Sequence, residues 1–430
     1  RVVKNTLDAT GDLSIVQSKK NADSGYWHYA DSPTYNAAGA LTSLQLGNGR
    51  WESTVFNSRL QPTQIALGTV QNSCDNLKLN FDYGSTANNG NVQSQTITVP
   101  TVGSNPGFTA VQTYTYDSLN RLKAADEKPY GWTTCTSDPT KCWTQTFTFD
   151  RYGNRRFDEA NTSMPASFSN QALTNPTIST SNNRLTSTGW TYDASGNTTG
   201  DPQSRTFIYD GENKQVDVKN SSSVTIGQYS YDGDGRRVKK YVPGTGETTI
   251  FVYDAAGKQI AEYSTIVADS SSAKVSYLTN DHLGSPRINT DVAGAVTARH
   301  DYHPFGEEVT VGRTSHSEYT PDSVRKQFTG YERDGETDLD FAQARLLQNG
   351  HGRFVQADPY NIIFEKEKGR SQKEKAKIFM RFVAQPQNWN RYVYVVNSPL
   401  NYVDPLGLTY LRDSKGTYYY ISDEIYKQNG

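Results

Sequence analysis

The chain has 430 residues, 34% of them hydrophobic and 12% aromatic, and its formal charge of -2 gives no electrostatic footprint for nucleic acid or an anionic membrane. No run of about 18 apolar residues occurs, so no helix is expected to span a bilayer. Its 28 Tyr outnumber its 16 Phe, and a ring that buries area while keeping a hydroxyl suits extended sheets better than a helical core.

The chain opens at Arg1 without a charged-then-apolar leader, so any targeting segment is expected upstream. Asp23-Ser-Gly25 imitates half of a pepsin-type motif, but no second copy exists and a hairpin turn is the expected role. From Tyr35-Asn-Ala-Ala-Gly39 onward a unit recurs: an aromatic pair, Asp, two or three small residues, Gly or Asn, then a basic residue and a strand. Its copies include Tyr114-Thr-Tyr-Asp-Ser-Leu-Asn-Arg-Leu122, Phe147-Thr-Phe-Asp-Arg-Tyr-Gly-Asn-Arg155 and Trp190-Thr-Tyr-Asp193. They continue with Phe207-Ile-Tyr-Asp210, Tyr229-Ser-Tyr-Asp-Gly-Asp-Gly-Arg-Arg237 and Phe251-Val-Tyr-Asp254.

Aromatic-x-aromatic spacing puts both rings on one strand face, and Asp with the following Gly or Asn supplies a turn with positive φ. One hairpin cannot bury its aromatic face alone, so neighbours must stack. The spacing predicts consecutive antiparallel hairpins of one continuous sheet over about 30–275, with Tyr116, Tyr192, Tyr209, Tyr231 and Tyr253 on equivalent faces. The Asp residues read as turn formers. Asp232-Gly-Asp-Gly-Arg236 resembles a calcium loop, but its twelfth position is Pro243, so a glycine turn is expected there too. Cys135 and Cys142 bracket a short loop and are read either as a loop disulfide or as two thiols, with Cys74 alone.

After about 275 the pattern changes to Asp281-His-Leu-Gly-Ser-Pro-Arg287, Tyr302-His-Pro-Phe-Gly306, Phe328-Thr-Gly-Tyr-Glu332 and Asp338-Leu-Asp-Phe-Ala-Gln-Ala-Arg345. His300 and His303 would fall on opposite strand faces, so no metal is expected there. His351-Gly-Arg-Phe354 and Asp358-Pro359 follow, and a charged run from Glu365 to Lys377 leads into Ile378-Phe-Met-Arg-Phe382 as the one expected helix. A strand is expected over Arg391 to Val396, before Asn397-Ser-Pro399 and Asp404-Pro-Leu-Gly-Leu408. Because a repeat array needs a terminal cap, Phe305, Phe328, Phe354 and Trp389 are expected to be buried against its last strands.

These motifs, in this order and over nearly the whole chain, resemble the RHS/YD-repeat family with its RHS-associated core: bacterial polymorphic toxins and the C subunits of insecticidal toxin complexes. The resemblance implies an all-β spiralling shell over 1–275, a core-boundary plug over 276–408, and the start of a toxin passenger over 409–430. It implies aspartyl autoproteolysis by Asp358 and Asp404, assisted by Arg345, between Leu408 and Thr409. Two departures stand out: Asn follows Asp358-Pro-Tyr where the family has Gly, and Leu-Leu follows Arg345 where Tyr-Tyr is usual. Paired carboxylates suit metal-free peptide hydrolysis because close like charges share one proton. The implied setting is secreted or at a bacterial cell surface. Its partners are the chain's own toxin segment and a secretion or toxin-complex protein, with neither cofactor nor metal. Two rivals are a non-cleaving adhesive YD-repeat protein and a carbohydrate-binding repeat protein.

Overall fold

The computed structural model describes residues 2–408 except 20–23, 104, 137, 256, 267–274, 314, 320–321 and 360–370, and, as backbone only, 378, 381, 411–412 and 418–419. Twelve strands, from Val2–Leu7 to Arg155–Phe157, pair in sequence order, and eight more, from Thr191–Tyr192 to Gln259–Ser264, do likewise. All these pairs are antiparallel, so nearly every contact in the sheets joins near neighbours in sequence. Strand pairing lapses once, across 158–190, where short turns and the helix Gln171–Thr174 intervene. Among the described residues no helix is long and apolar enough to cross a membrane.

The repeat explains itself side chain by side chain. The first aromatics of the units, Tyr114, Phe147, Trp190, Phe207, Tyr229 and Phe251, are all buried. Two residues on, Tyr116, Tyr192, Tyr209, Tyr231 and Tyr253 share that face at half burial, as the spacing predicts. Tyr116, Tyr231 and Tyr253 use their hydroxyls to donate to the carbonyls of Val92, just before the strand Ser94–Val99, and of Gln215 and Arg237 on earlier strands.

Each Asp closes its turn with its own side chain. In the unit at Asp232, Oδ1 accepts from the amides of Asp234 and Arg236 at 3.0 and 2.9 Å, and Gly235 takes φ +75°. The positive φ thus falls on the third residue after Asp, and Asp232 is a turn residue. The basic or amide residue after that position then reaches the next unit's turn. Arg121 donates to the carbonyl of Asp150, and Asn197 to the side chain of Asn213. Lys214 lies across Gly235 and Arg236 across Gly257, where a Cβ would come within 2.9 Å of the overlying side chain. Gly, or Asn as at Asn120 and Asn213, suits the position because of its positive φ.

The C-terminal region adds a three-stranded sheet (Tyr277–Asn280, Pro286–Thr290, Val296–Arg299) and a four-stranded one (Glu332–Asp334, Leu339–Ala342, Arg345–Gln348, Arg353–Phe354). Phe305, Phe328 and Phe354 are buried as expected, but in one cluster with Leu67, Leu79, Ile97 and Trp143 of the twelve-stranded sheet and not against the array's last strands. Burying each such side chain contributes about 1.5–3 kcal/mol. Trp389 is the exception at 54% exposure: it ends the short turn Pro386–Trp389, where its indole N–H donates to the Val383 carbonyl and the ring stays in solvent. The expected strand at Arg391 to Val396 is also absent. Only Val393 bridges, to Arg353, because Val395, Val396 and Asn397 take left-handed φ and turn the chain away from any ladder.

Buried ion pairs join the two regions. Arg237 and Lys240, on a repeat strand, each meet Asp334 at 2.7 Å, and Arg313 bridges Glu127 of the repeats to Asp301. The helix forms over Gln372–Val383, capped by Ser371 Oγ accepting from the Glu374 amide; Glu365 to Arg370 lie outside the described residues, as does Asp23. Cys135 and Cys142 form a disulfide. His300 pairs with Glu308 while His303 packs on Trp143, and no metal-binding cluster occurs among the described residues.

Candidate active site at the closing turn

Arg345 opens the strand Arg345–Gln348 and is 3% exposed, its guanidinium lying over the Phe354 ring at 3.7 Å. That stacking fixes the plane of the fork and leaves its edge for acceptors. Nη2 meets Asp358 Oδ2 at 3.1 Å and Asp404 Oδ2 at 3.2 Å. Nε donates to the carbonyl of Gly407, Nη2 also to that of Leu408 at 3.4 Å, and Nη1 to that of Arg391 at 3.1 Å. One guanidinium thus gathers both aspartates and the last two carbonyls of the Asp404-Pro-Leu-Gly-Leu408 motif.

The two aspartates arrive by different routes. Asp358 follows the strand Arg353–Phe354, and its amide donates to the Arg391 carbonyl at 2.8 Å, which pins it beside Arg345. Asp404 heads a turn of the repeat kind. Its Oδ1 accepts from the Leu408 amide at 2.8 Å, its carbonyl accepts from the Gly407 amide at 3.2 Å, and Gly407 takes φ +65°. The same offsets occur at Asp232 and its neighbours. Asp404 is therefore a turn aspartate and a site carboxyl at once. The turn docks through the Ala344 amide, which donates to the Leu406 carbonyl at 3.0 Å. At Gly407 a Cβ would stand 2.3 Å from the Ala342 carbonyl oxygen, so no side chain fits.

Burial sets the electrostatics of Asp404. At 2% exposure its pKa is raised to about 7, with Asp358 adding repulsion, although Arg345 and the Leu408 amide pull the other way. Near neutral pH this carboxyl holds a proton for a large share of the time. The structure brings together Asp358, Asp404, Arg345 and Leu408, the residues named from the sequence; Thr409 lies outside the described residues. Sequence reasoning assigned no role to Tyr331, whose hydroxyl donates to the Asp404 carbonyl, or to the Arg391 carbonyl, which ties Asp358 to Arg345. The motif Phe328-Thr-Gly-Tyr-Glu332 was the available signal for Tyr331. A cavity of about 910 Å3 opens from the site, with Arg345, Asp358, Leu406 and Leu408 on one wall and the repeat turns around Lys214 and Arg236 on another.

No family model matches the chain. It is 26% identical over 234 residues to the tRNA3(Ser)-specific nuclease WapA of Bacillus spizizenii and to the tRNA nuclease WapA of Bacillus subtilis. That match takes in 50% of this chain and 9% of each relative, so the chain spans less than a tenth of the length of the curated relatives it matches. In structure it is similar to the TcdB2-TccC3-Cdc42 crystal structure, with a TM-score of 0.66 at 20% identity over 94% of this chain and 20% of that one. The Photorhabdus luminescens Tc holotoxin pore gives a TM-score of 0.68 at 18% identity over 97% of this chain and 21% of that one. What these likenesses show is a shared fold.

Proposed function

We propose that this chain, which has the RHS/YD-repeat shell fold, is the closing part of a shell that encloses a C-terminal toxin and frees it by cutting itself after Leu408. The curated relatives it resembles are named as tRNA nucleases, and the similar solved structures are of TcdB2-TccC3 with Cdc42 and of a Tc holotoxin pore. A partner of that kind and a secreted or cell-surface setting belong to the same proposal, as does the division into shell, plug and passenger.

The observation that carries the proposal is the meeting of Asp358, Asp404 and the carbonyls of Gly407 and Leu408 on one buried guanidinium. In the reaction, Asp358 takes a proton from water as the water oxygen adds to the Leu408 carbonyl carbon. Asp404 gives its proton to the carbonyl oxygen, and Arg345 steadies the charge that develops there. Collapse breaks the bond to Thr409: Asp358 gives the proton it took from water to the leaving nitrogen, Asp404 recovers one from the hydroxyl as the carbonyl re-forms, and the new acid at Leu408 ionises to a carboxylate. The scissile carbonyl lies only four positions on from Asp404, so proximity replaces a substrate pocket. Intact-mass measurement of the expressed chain with Asp404→Asn and Asp358→Asn decides it: the parent should appear as two pieces split after Leu408 and each variant as one. An uncut parent would favour the non-cleaving adhesive reading, and a variant that still cuts there would remove the aspartates from the mechanism.

A further inference from the structure

We propose that Arg345 also binds the α-carboxylate that cleavage creates at Leu408, so that the closing turn stays docked and the plug stays shut after the passenger is free. This rests on the reading that the chain cuts itself, and it concerns what happens to the other half of the product. The geometry points to it. Before any cut, the guanidinium already touches the Leu408 carbonyl at 3.4 Å and the Gly407 carbonyl beside it. Stacking on Phe354 and the bond to the Arg391 carbonyl hold it in place independently of that turn. The guanidinium therefore keeps its position when its partner changes.

Hydrolysis breaks the bond between the Leu408 carbonyl carbon and the Thr409 nitrogen, and the water oxygen becomes the second oxygen of a carboxylate. A full negative charge then stands where a carbonyl dipole stood. A charge-assisted bond from an arginine fork is roughly twice as strong as a neutral one. The other acids facing the fork are Asp358 and Asp404. Since burial makes Asp404 the more readily protonated, it yields its share of the fork to the newcomer. Lys214, Arg236 and Arg391 line the same cavity and add positive charge, against Glu212 and Asp234. Without such a clamp, the new chain end at Leu408 would keep its amide bond to Asp404 Oδ1 but lose the tie at its own carbonyl carbon, while Arg345, Tyr331 and Ala344 hold the rest of the turn.

The test uses chains ending at Leu408, one with a free carboxylate and one with a carboxamide, each also with Arg345→Met. Both hydrophobic core clusters are built from residues before Leu408, so a chain ending there retains them. Hydrogen exchange in the segment 400–408 should be about fivefold slower in the acid than in the amide. The acid should melt about 2 °C higher. Both differences should vanish with Arg345→Met. Equal or faster exchange in the acid, a difference that survives Arg345→Met, or an acid form that does not fold would each overturn the clamp. Because these chains are made already ending at Leu408, that result is independent of whether the full chain cuts itself, which intact mass decides separately.

Discussion

Asp358 and Asp404, far apart in sequence, share a single guanidinium nitrogen, Nη2 of Arg345, at 3.1 and 3.2 Å. Two carboxyls on one cation in a buried site cannot both hold full charge cheaply. Asp404 takes the proton because it is the more deeply buried, 2% exposed against 16% for the Asp358 side chain.

The first consequence is a pH dependence with a defined sign. Asp404 is raised from 3.8 to about 7 by burial, so from about pH 4 to 7 the folded chain keeps a proton that the unfolded chain releases. Its contribution is full below that window and is lost as pH rises through it, by roughly 4 kcal/mol at about 1.4 kcal/mol per unit. Asp404→Asn has nothing to ionise and should be more stable than the parent at pH 8, with little difference at pH 4. Urea melts at the two pH values measure this. A parent whose stability is flat or rises from pH 4 to 8 relative to the variant contradicts the assignment. Self-cleavage should slow across the same window, since the general acid is lost.

Gly407→Ala tests the turn. Its Cβ would meet the Ala342 carbonyl oxygen at 2.3 Å, in a backbone at φ +65°. The closing turn must then lift away from Ala344 and Arg345, and we expect a loss of about 2–3 kcal/mol and at least a hundredfold slower cutting. Gly211→Ala, at a turn glycine with open space around it and no positive φ, is the control and should change neither. Gel-quantified cleavage over time, beside a melt, reads both effects.

Asp334→Ala tests the join between the repeat strands and the C-terminal sheets. The carboxylate is fully buried and neutralises Arg237 and Lys240, each at 2.7 Å. Removing it strands two buried cations near Glu332 and Glu336 and should cost about 3–5 kcal/mol. Arg325 in the same region is partly exposed in its ion pair with Glu262, so Glu262→Ala should cost less than about 1 kcal/mol. Equal losses in the two variants would show that the buried pairs do not hold the C-terminal sheets.

The sequence by itself determined the repeat. Aromatic-x-aromatic spacing, Asp at the head of each turn and Gly or Asn three residues on act through neighbours a few positions away, so their meaning survives without knowing the fold. Turn and site could also be read at Asp404, because the same local offsets recur there. Only the tertiary structure decided that Trp389 stays in solvent, that 391–396 turns instead of pairing, and that strand pairing lapses across 158–190. Only it showed that Tyr331 and the Arg391 carbonyl hold the aspartates in place. Those outcomes depend on which distant surface each segment meets, and burial of a ring or a carboxyl is a property of that surface, not of the residues beside it in the chain.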